Sequence, residues 1–422
     1  MIKIIYKLHQ NTYIRFLMLI LKGEVMIRRM INRYNTDCLK YDAVEEVFGT
    51  KNVIPLWVAD MDIPAPAAVR RALHKRVNHP IYGYSIHNAC FYQSVQNWLK
   101  DNYSWVIEKE WVSCTPGIVP AINIAVMALT EKSDEVIIQT PVYPPFFNAV
   151  TDHQRKLVVN PLKNENGRYS MDFDDLKSKI TPKTKMLILC NPHNPVGRVF
   201  TREELIELGN ICLENNIIIV SDEIHADIVY EPNIHIPIAS ISKEFSDITV
   251  TCMAPSKTFN IAGFATSEII IENEELREKF RYIPRSLHIC GGNIIGDAAL
   301  IASYSHGKPW LKRTKKFLKE NIDFVIEYIR KNIPSIHIEV PESTFLLWLD
   351  CRKWGLNQKE LNDFFINEAH LGLNDGAMFG ECAKGFMRMN IGTCRRTLKK
   401  ALKQLKDAVD QTIDKGQLTK DN

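Results

Sequence analysis

The chain has 422 residues, of which 45% are hydrophobic, 24% charged and 9% aromatic, a profile typical of globular enzymes and not of disordered or fibrous proteins. A chain of this length buries a large apolar core, so neither disulfides nor a structural metal is needed for folding. The formal net charge of +4 is too small to indicate nucleic acid or an acidic membrane as the main partner.

The first 25 residues are basic and partly apolar, but they lack the pattern of a secretory signal. Their apolar stretch at 16–21 is short, and no small-residue cleavage site follows it. We therefore expect 1–25 to be an N-terminal extension and the functional chain to begin near Met26. No apolar run reaches the roughly 18 residues that span a bilayer. Scattered cysteines without CxxC pairs are typical of free thiols in a reducing cytoplasm.

Short β-rich runs alternate with amphipathic helical stretches between about 110 and 271. Leu205, Leu208 and Cys212 lie at helical spacing in one such stretch. The alternation predicts an α/β fold, a mostly parallel sheet covered by helices on both faces. The β-rich runs are 135–140, 185–190, 216–222, 248–253 and 267–271.

The pattern changes after about residue 290. A long Lys-rich helical stretch at 308–332 is followed by an expected strand pair around 336–340 and 344–350, and then by a terminal helix at 395–414. This part of the sequence predicts a second, smaller α+β domain.

Polar residues follow several of the β-rich runs. Tyr143 follows the first run, Asn194 the second and Lys257 the fourth, while Asp222 ends the third. Ligands of parallel sheets bind outside the carboxyl ends of the strands, so these side chains are expected to meet at one edge.

This set meets the requirements of pyridoxal phosphate. The cofactor needs a lysine for the Schiff base (Lys257), a carboxylate on the pyridine nitrogen (Asp222), a donor to the phenolate oxygen (Asn194) and a ring to stack on (Tyr143). Taken singly, these residues also fit a surface lysine, a helix cap, a turn amide and a packing ring. Their occurrence in order, each at a strand end, favours the cofactor site.

A turn at Gly117 offers a place for the phosphate. It leads from a predicted strand into a predicted helix, and the amides of Ile118 and Val119 lie at the start of that helix. Free N–H groups and the helix dipole favour an anion at this position.

The motifs NPHNPVG, SDEIH and APSKTFNIAG resemble those of fold type I pyridoxal-phosphate enzymes of the class I/II aminotransferase family, and the resemblance covers nearly all of the chain from about Ile27. PLWVADMD, HPIYGYS, TPVYPPF and GFMRMNIG are similar to the MalY/PatB branch, whose members are cystathionine or cysteine-S-conjugate β-lyases. The resemblance implies a pyridoxal-phosphate-dependent β-elimination in a cytoplasmic homodimer, with a thiol, pyruvate and ammonia as products.

The resemblance also adds residues that spacing does not supply. It implies that Tyr84, with Tyr82 as the second choice, reaches the phosphate of the neighbouring subunit. It assigns Arg388 to the substrate α-carboxylate, which a planar guanidinium holds through two parallel hydrogen bonds. A structural ion pair is the alternative role for Arg388.

Two positions separate this chain from many aminotransferases of the family. His225 and Ala265 stand where those enzymes have tyrosine and arginine, and the β-lyase branch shares both differences. Without that arginine, the phosphate is left to the amides, to Ser256 and to Tyr84. Ser343 and Phe345 also depart from the usual residues of the branch, which leaves the shape of the substrate open.

The resemblance implies a large cofactor domain at 61–289 and a small domain built from 26–60 and 290–422. Transamination of amino acids stays open as an alternative, because the same site residues serve both reactions. A regulatory protein that retains the fold is a second alternative, which the intact set of site residues disfavours.

Removal of residues 1–25 is expected to leave folding, cofactor content and activity unchanged, because none of the motifs lies there. The check is absorbance and turnover of the truncated protein, compared with the full chain. Loss of cofactor or of the native oligomeric state would contradict the prediction.

Overall fold

The computed structural model describes residues 31–289 and 292–414, so the extension predicted at 1–25 lies outside the described residues. The strands are β1 (Ile54–Pro55), β2 (Val112–Thr115), β3 (Glu135–Ile138), β4 (Lys156–Val159), β5 (Lys163–Glu165), β6 (Arg168–Ser170), β7 (Thr184–Cys190), β8 (Ile218–Asp222), β9 (Thr249–Met253), β10 (Ser267–Ile270), β11 (Leu346–Asp350), β12 (Leu371–Gly372), β13 (Asn374–Asp375) and β14 (Phe386–Asn390). The α-helices are α1 (Leu39–Asp42), α2 (Val44–Phe48), α3 (Ala67–Val77), α4 (Ala89–Tyr103), α5 (Ile118–Leu129), α6 (Pro145–Thr151), α7 (Phe173–Lys179), α8 (Arg202–Glu214), α9 (Lys243–Asp247), α10 (Pro255–Thr258), α11 (Glu274–Ser286), α12 (Ile294–His306), α13 (Lys308–Asn332), α14 (Gln358–Asp363) and α15 (Arg395–Asp414).

A seven-stranded sheet forms the centre of the fold, in the order β2-β10-β9-β8-β7-β3-β4. The neighbours from β9 to β4 pair in parallel, whereas β10 runs antiparallel to both β9 and β2. The predicted mostly parallel α/β sheet is confirmed, and each predicted β-rich run forms one of its strands. The middle strands are apolar because helices cover both of their faces.

Helices on the two faces bury two separate apolar clusters. On one face, Ile122 of α5 and Phe146 of α6 pack with Ile188 of β7. On the other face, Leu208 of α8 packs with Leu187 of β7. Adjacent residues of β7 thus face opposite helical layers, as the two-residue period of a strand requires.

The start of α8 follows from a capping box. The Thr201 side chain accepts a hydrogen bond from the Glu204 amide, and the Glu204 carboxylate accepts one from the Thr201 amide. Two free N–H groups at the helix end are satisfied in this way. The turn between Asn191 and Thr201 is therefore fixed at both ends, by β7 and by α8.

The C-terminal part agrees with the sequence at α13 and α15, but the expected strand at 336–340 does not form. His337 makes an isolated antiparallel bridge to Asp350, so the two expected segments meet at a single position. The regular partner of β11 is β14, where Trp348 lies opposite Arg388. Pro341 follows the 336–340 segment and has no N–H to donate, which is unfavourable for a longer ladder there.

The N-terminal and C-terminal parts of the chain meet at the short parallel pair β1–β12, where Ile54 lies opposite Leu371. Helix α12 packs against α3 and α4. The domain boundaries at 60 and 290 stay a prediction. None of the helices in the described ranges combines the length and apolarity that crossing a bilayer requires.

Candidate active site

A cavity of about 210 Å³ lies at the carboxyl edge of the central sheet. It lies beside the ends of β7, β8 and β9 and the start of α5. All of the predicted site residues line it except Tyr84 and Arg388. The lining residues are Ala59, Gly117, Ile118, Val119, Pro120, Tyr143, Cys190, Asn194, Asp222, Ile224, His225, Ser256, Lys257 and Ala262.

Lys257 lies in the single turn of α10, directly after β9. Pro255 begins this turn, with its fixed φ suited to the first helical position. The Nζ atom of Lys257 donates a hydrogen bond to the Ala59 carbonyl at 2.7 Å. Burial lowers the pKa of Lys257 from 10.5 to about 8, against the opposing charge of Asp60. A sizeable fraction of this amine is therefore uncharged and nucleophilic near neutral pH.

Asp222 is the last residue of β8 and is 5% exposed. Its Oδ1 accepts a hydrogen bond from the Ile224 amide at 3.1 Å. Burial raises the pKa of its carboxyl group from 3.8 to about 7. Within the described ranges no cationic side chain forms an ion pair with Asp222, so a cationic ring nitrogen in the cavity would supply the charge that this carboxylate lacks.

The start of α5 forms another wall of the cavity. Gly117 has a φ of +126°, a backbone conformation that residues other than glycine rarely adopt. Its carbonyl accepts a hydrogen bond from the Thr115 hydroxyl at 2.8 Å. The first N–H groups of a helix have no partners within the helix. With Ile118 and Val119 also at the wall, this end of α5 suits a phosphate.

Tyr143, Asn194 and His225 surround the centre of the cavity. Burial raises the pKa of Tyr143, so its hydroxyl stays protonated. Burial lowers the pKa of His225 to about 3, so its ring is neutral. His225 Nδ1 has no hydrogen-bond partner among the described residues. It is therefore free to bind a polar group in the cavity.

Arg388 reaches the site from the middle of β14 and is 4% exposed. Its guanidinium donates to Asn194 Oδ1 at 3.0 Å, to the Trp57 carbonyl at 3.0 Å and to Asn374 Oδ1 at 2.6 Å. These acceptors are all neutral, and no carboxylate of the described chain pairs with Arg388. Burial lowers its pKa to about 10. Its charge is thus left for an anionic ligand, and the structural ion pair considered from the sequence is not formed.

Tyr84 lies away from the cavity and is fully exposed. Tyr82 is exposed as well, and its hydroxyl donates to the Val77 carbonyl at 2.5 Å. Within one subunit, neither tyrosine lines the site. A role for Tyr84 at the phosphate therefore requires a second copy of the chain and stays a prediction.

Two main-chain carbonyls near residue 60, which the sequence did not indicate, also contribute to the site. The Ala59 carbonyl contacts Lys257, and the Trp57 carbonyl contacts Arg388. Backbone acceptors have no residue-type signature. The sequence offered only the PLWVADMD motif, to which no role was assigned.

Taken together, the donors and acceptors of the cavity fit pyridoxal phosphate. A nucleophilic amine, a buried carboxylate without an ion-pair partner, a helix start and the side-chain amide of Asn194 lie on its walls. These are the partners needed by an aldehyde, a pyridine nitrogen, a phosphate and a ring oxygen. The individual assignments stay predictions.

The chain is similar to known proteins over most of its length. The family model for aminotransferase class I and II matches residues 51–405. The cystathionine beta-lyase PatB of Bacillus subtilis (strain 168) is 39% identical over 378 residues, which cover 89% of this chain and 98% of that protein. The crystal structure of cystalysin from Treponema denticola, which contains a pyridoxal 5'-phosphate cofactor, has a TM-score of 0.88 and 34% identity over 91% of this chain and 98% of that chain. A PLP-bound C-S lyase from Staphylococcus hominis has a TM-score of 0.84 and 33% identity over 90% and 97% of the two chains.

Replacing the buried amine, Lys257→Ala, is expected to abolish the absorbance of covalently linked cofactor and all turnover, because no other amine lines the cavity in the described chain. Lys316→Ala, at an exposed position of α13, is the matched control. A visible spectrum and activity that survive in Lys257→Ala would move the covalent link to another lysine.

Asp222→Asn is expected to retain the cofactor but to slow removal of the substrate Cα proton by about 100-fold or more, because a neutral amide cannot stabilise a protonated ring nitrogen. The check is the rate at which deuterium on Cα exchanges with water, followed by NMR. A rate near that of the wild type would mean that Asp222 is only structural.

Proposed function

The chain belongs to the aminotransferase class I and II family, and we propose that it is a pyridoxal 5'-phosphate-dependent carbon–sulfur β-lyase. Its reaction is β-elimination from L-cystathionine or a related cysteine S-conjugate, which releases the thiol, followed by hydrolysis of the remaining three-carbon fragment by water to pyruvate and ammonia. The observation that carries this proposal is the likeness to PatB, a cystathionine beta-lyase, over 89% of this chain. Two structural neighbours with the cofactor, cystalysin and a C–S lyase, support it.

Four side chains are proposed to hold the cofactor and the substrate. Lys257 forms the covalent link, and Asp222 contacts the ring nitrogen. Asn194 donates to the ring oxygen, and Arg388 binds the substrate carboxylate. Support comes from their placement, since Arg388 already donates to Asn194 at 3.0 Å and has no anionic partner in the described chain.

The remaining walls are proposed to fix the orientation of the cofactor. Tyr143 packs on the ring, while the amides at Gly117, Ile118 and Val119 bind the phosphate together with Ser256. His225, which is neutral because of its burial, supplies a further polar contact at its Nδ1 atom. These contacts hold the ring in one plane, so that one bond at the substrate Cα stands perpendicular to it.

Pyridoxal phosphate, when bound, supplies an electron sink for the electron pair left on the substrate Cα. The chain supplies the base, which is Lys257 after the substrate amine has replaced it at the cofactor. The pKa of Lys257 is about 8, so its amine can accept the Cα proton near neutral pH. Arg388 holds the substrate α-carboxylate through its guanidinium, and this determines that the Cα–H bond lies toward Lys257. A thiolate on Cβ is then the leaving group.

Transamination uses the same side chains, because it begins with loss of the same Cα proton. The chain has His225 and Ala265 at the positions that separate the lyase branch from many aminotransferases. The choice between the reactions depends on which step follows proton loss, and a barrier difference of about 1.4 kcal/mol gives a tenfold preference.

The lyase is proposed to act as a cytoplasmic homodimer with Tyr84 contributed across the interface. The irregular segment before α4 supports this, because its large side chains Ile81, Tyr82, Tyr84 and Ile86 are all exposed. Contiguous exposed apolar side chains mark a surface for a protein partner. The cysteines in the described ranges are free thiols, as expected for a reducing compartment.

The test is incubation with L-cystathionine in the absence of any keto-acid acceptor. A lyase is expected to release pyruvate and homocysteine over many turnovers, because elimination regenerates the enzyme without a second substrate. Pyruvate and thiol are quantified against enzyme concentration. A single burst that leaves the cofactor in its amine form would make the enzyme an aminotransferase.

A further inference from the structure

Residues 57–62, here termed the strap, contact both of the candidate functional cations. The Trp57 carbonyl accepts a hydrogen bond from Arg388 Nη2 at 3.0 Å. Two residues later, the Ala59 carbonyl accepts one from Lys257 Nζ at 2.7 Å. One short segment of main chain therefore lies between the proposed carboxylate-binding group and the proposed base.

Two asparagines hold the backbone of the strap. Asn390 Nδ2 donates to the Val58 carbonyl at 2.5 Å and to the Asp60 carbonyl at 2.7 Å. Asn260 accepts a hydrogen bond from the Met61 amide at 2.9 Å and donates to the Met61 carbonyl at 2.8 Å. Asn390 lies at the end of β14, two residues after Arg388, and Asn260 lies three residues after Lys257. The strap is thus held by β14, which carries Arg388, and by the turn that follows α10, the helix of Lys257.

The two aspartates of the strap belong to a partly buried charge cluster. Arg33 contacts Asp60 Oδ2 at 2.5 Å and Asp62 Oδ1 at 2.7 Å. Lys40, whose side chain is 0% exposed, contacts Asp62 Oδ1 at 3.1 Å and Asp60 Oδ1 at 3.7 Å. Tyr41 donates to Asp62 Oδ2 at 2.7 Å. A buried lysine without these carboxylates would be strongly disfavoured, so the cluster fixes both aspartates.

We propose that Asp60 is a positioning residue, which sets the place of the Trp57 and Ala59 carbonyls and thereby orients Arg388 and Lys257. Arg33, Lys40 and Asp62 hold Asp60 in this role. The inference rests on the proposed function, in which Lys257 and Arg388 bind cofactor and substrate. The side chain of the added residue, Asp60, makes no hydrogen bond to Lys257 or Arg388 in the described structure.

Electrostatics support this geometry. Burial is the largest influence on the pKa of Lys257 and lowers it, and Asp60 is the strongest of the charges that act on this amine. Asp60 and Asp222 raise the pKa, whereas Arg388 lowers it. Loss of the charge of Asp60 therefore lowers the pKa of Lys257, and the reactive uncharged amine becomes available at a lower pH.

The experiment uses Asp60→Asn and follows the rate of pyridoxal phosphate uptake by the cofactor-free protein as a function of pH. The rising limb of this profile, which reports the uncharged amine, is expected to shift to lower pH by about half a unit. Asp60→Glu keeps the charge and is expected to leave the limb in place. A limb that does not move in Asp60→Asn, or that moves equally in Asp60→Glu, would overturn the arm of the proposal that concerns Lys257.

Steady-state kinetics test the arm of the proposal that concerns Arg388. In Asp60→Asn, the KM for a cysteine S-conjugate is expected to rise about five- to tenfold with a smaller change in kcat. Asp42→Asn is the control, because Asp42 lies in the same N-terminal part of the chain and accepts hydrogen bonds from the amides of Asn35, Thr36 and Cys38. An equal rise of KM in Asp42→Asn would show a general loss of structure and overturn this arm.

The uptake measurement separates this inference from the proposed function. It needs no substrate, so an enzyme that binds the cofactor but does not cleave cysteine S-conjugates would refute the lyase and leave the test of Asp60 intact. An active lyase with an unshifted uptake profile in Asp60→Asn would refute the positioning role alone.

Discussion

Desolvation at the carboxyl edge of the central sheet governs the charge of the groups in the site. The apolar strands and the helices that cover them remove water from Lys257, Asp222 and Arg388. Burial lowers the pKa of Lys257 to about 8 and raises that of Asp222 to about 7. Lys257 and Asp222 are thereby brought close to a change of charge near neutral pH, whereas Arg388 stays charged with a pKa of about 10. In a medium of low dielectric constant, the interaction energy between two charges is much larger than in water. A bound cofactor or substrate can therefore determine the protonation state of Lys257 and Asp222.

The same constraint explains why the site is built from distant parts of the chain. A buried arginine needs acceptors, and Arg388 finds them on the turn after β7, on β13 and on the strap. These acceptors are neutral, which leaves a net charge for the ligand. The strap in turn is held by carboxylates paired with Arg33 and Lys40. Ion pairs at the edge of the site thus hold the strap, while Lys257 and Arg388 have no ion-pair partner in the described chain and can bind the cofactor and the substrate.

The sequence was sufficient to predict the sheet and most of the side chains at its edge. Long apolar runs such as the one in β7 are recognised directly in the sequence. The placement of Asn194, Asp222 and Lys257 could be predicted because the carboxyl ends of parallel strands meet at one edge of the sheet. The expected strand at 336–340 forms only one bridge, and the main partner of β11 was not predicted, since β-like composition does not identify the partner strand and β14 is distant in sequence. The roles of the Trp57 and Ala59 carbonyls could not be predicted, because every residue has a carbonyl. The role of Tyr84 stays a prediction, since a residue proposed to act across subunits makes no corresponding contact within one chain.

The most direct test of the central claim is to locate the covalent link to the cofactor. The loaded protein is reduced with borohydride, digested and mapped by mass spectrometry. The account predicts that the phosphopyridoxyl group is on Lys257, within the APSKTFN segment after β9. A label on a different lysine, or a protein that carries no label after loading, would contradict it.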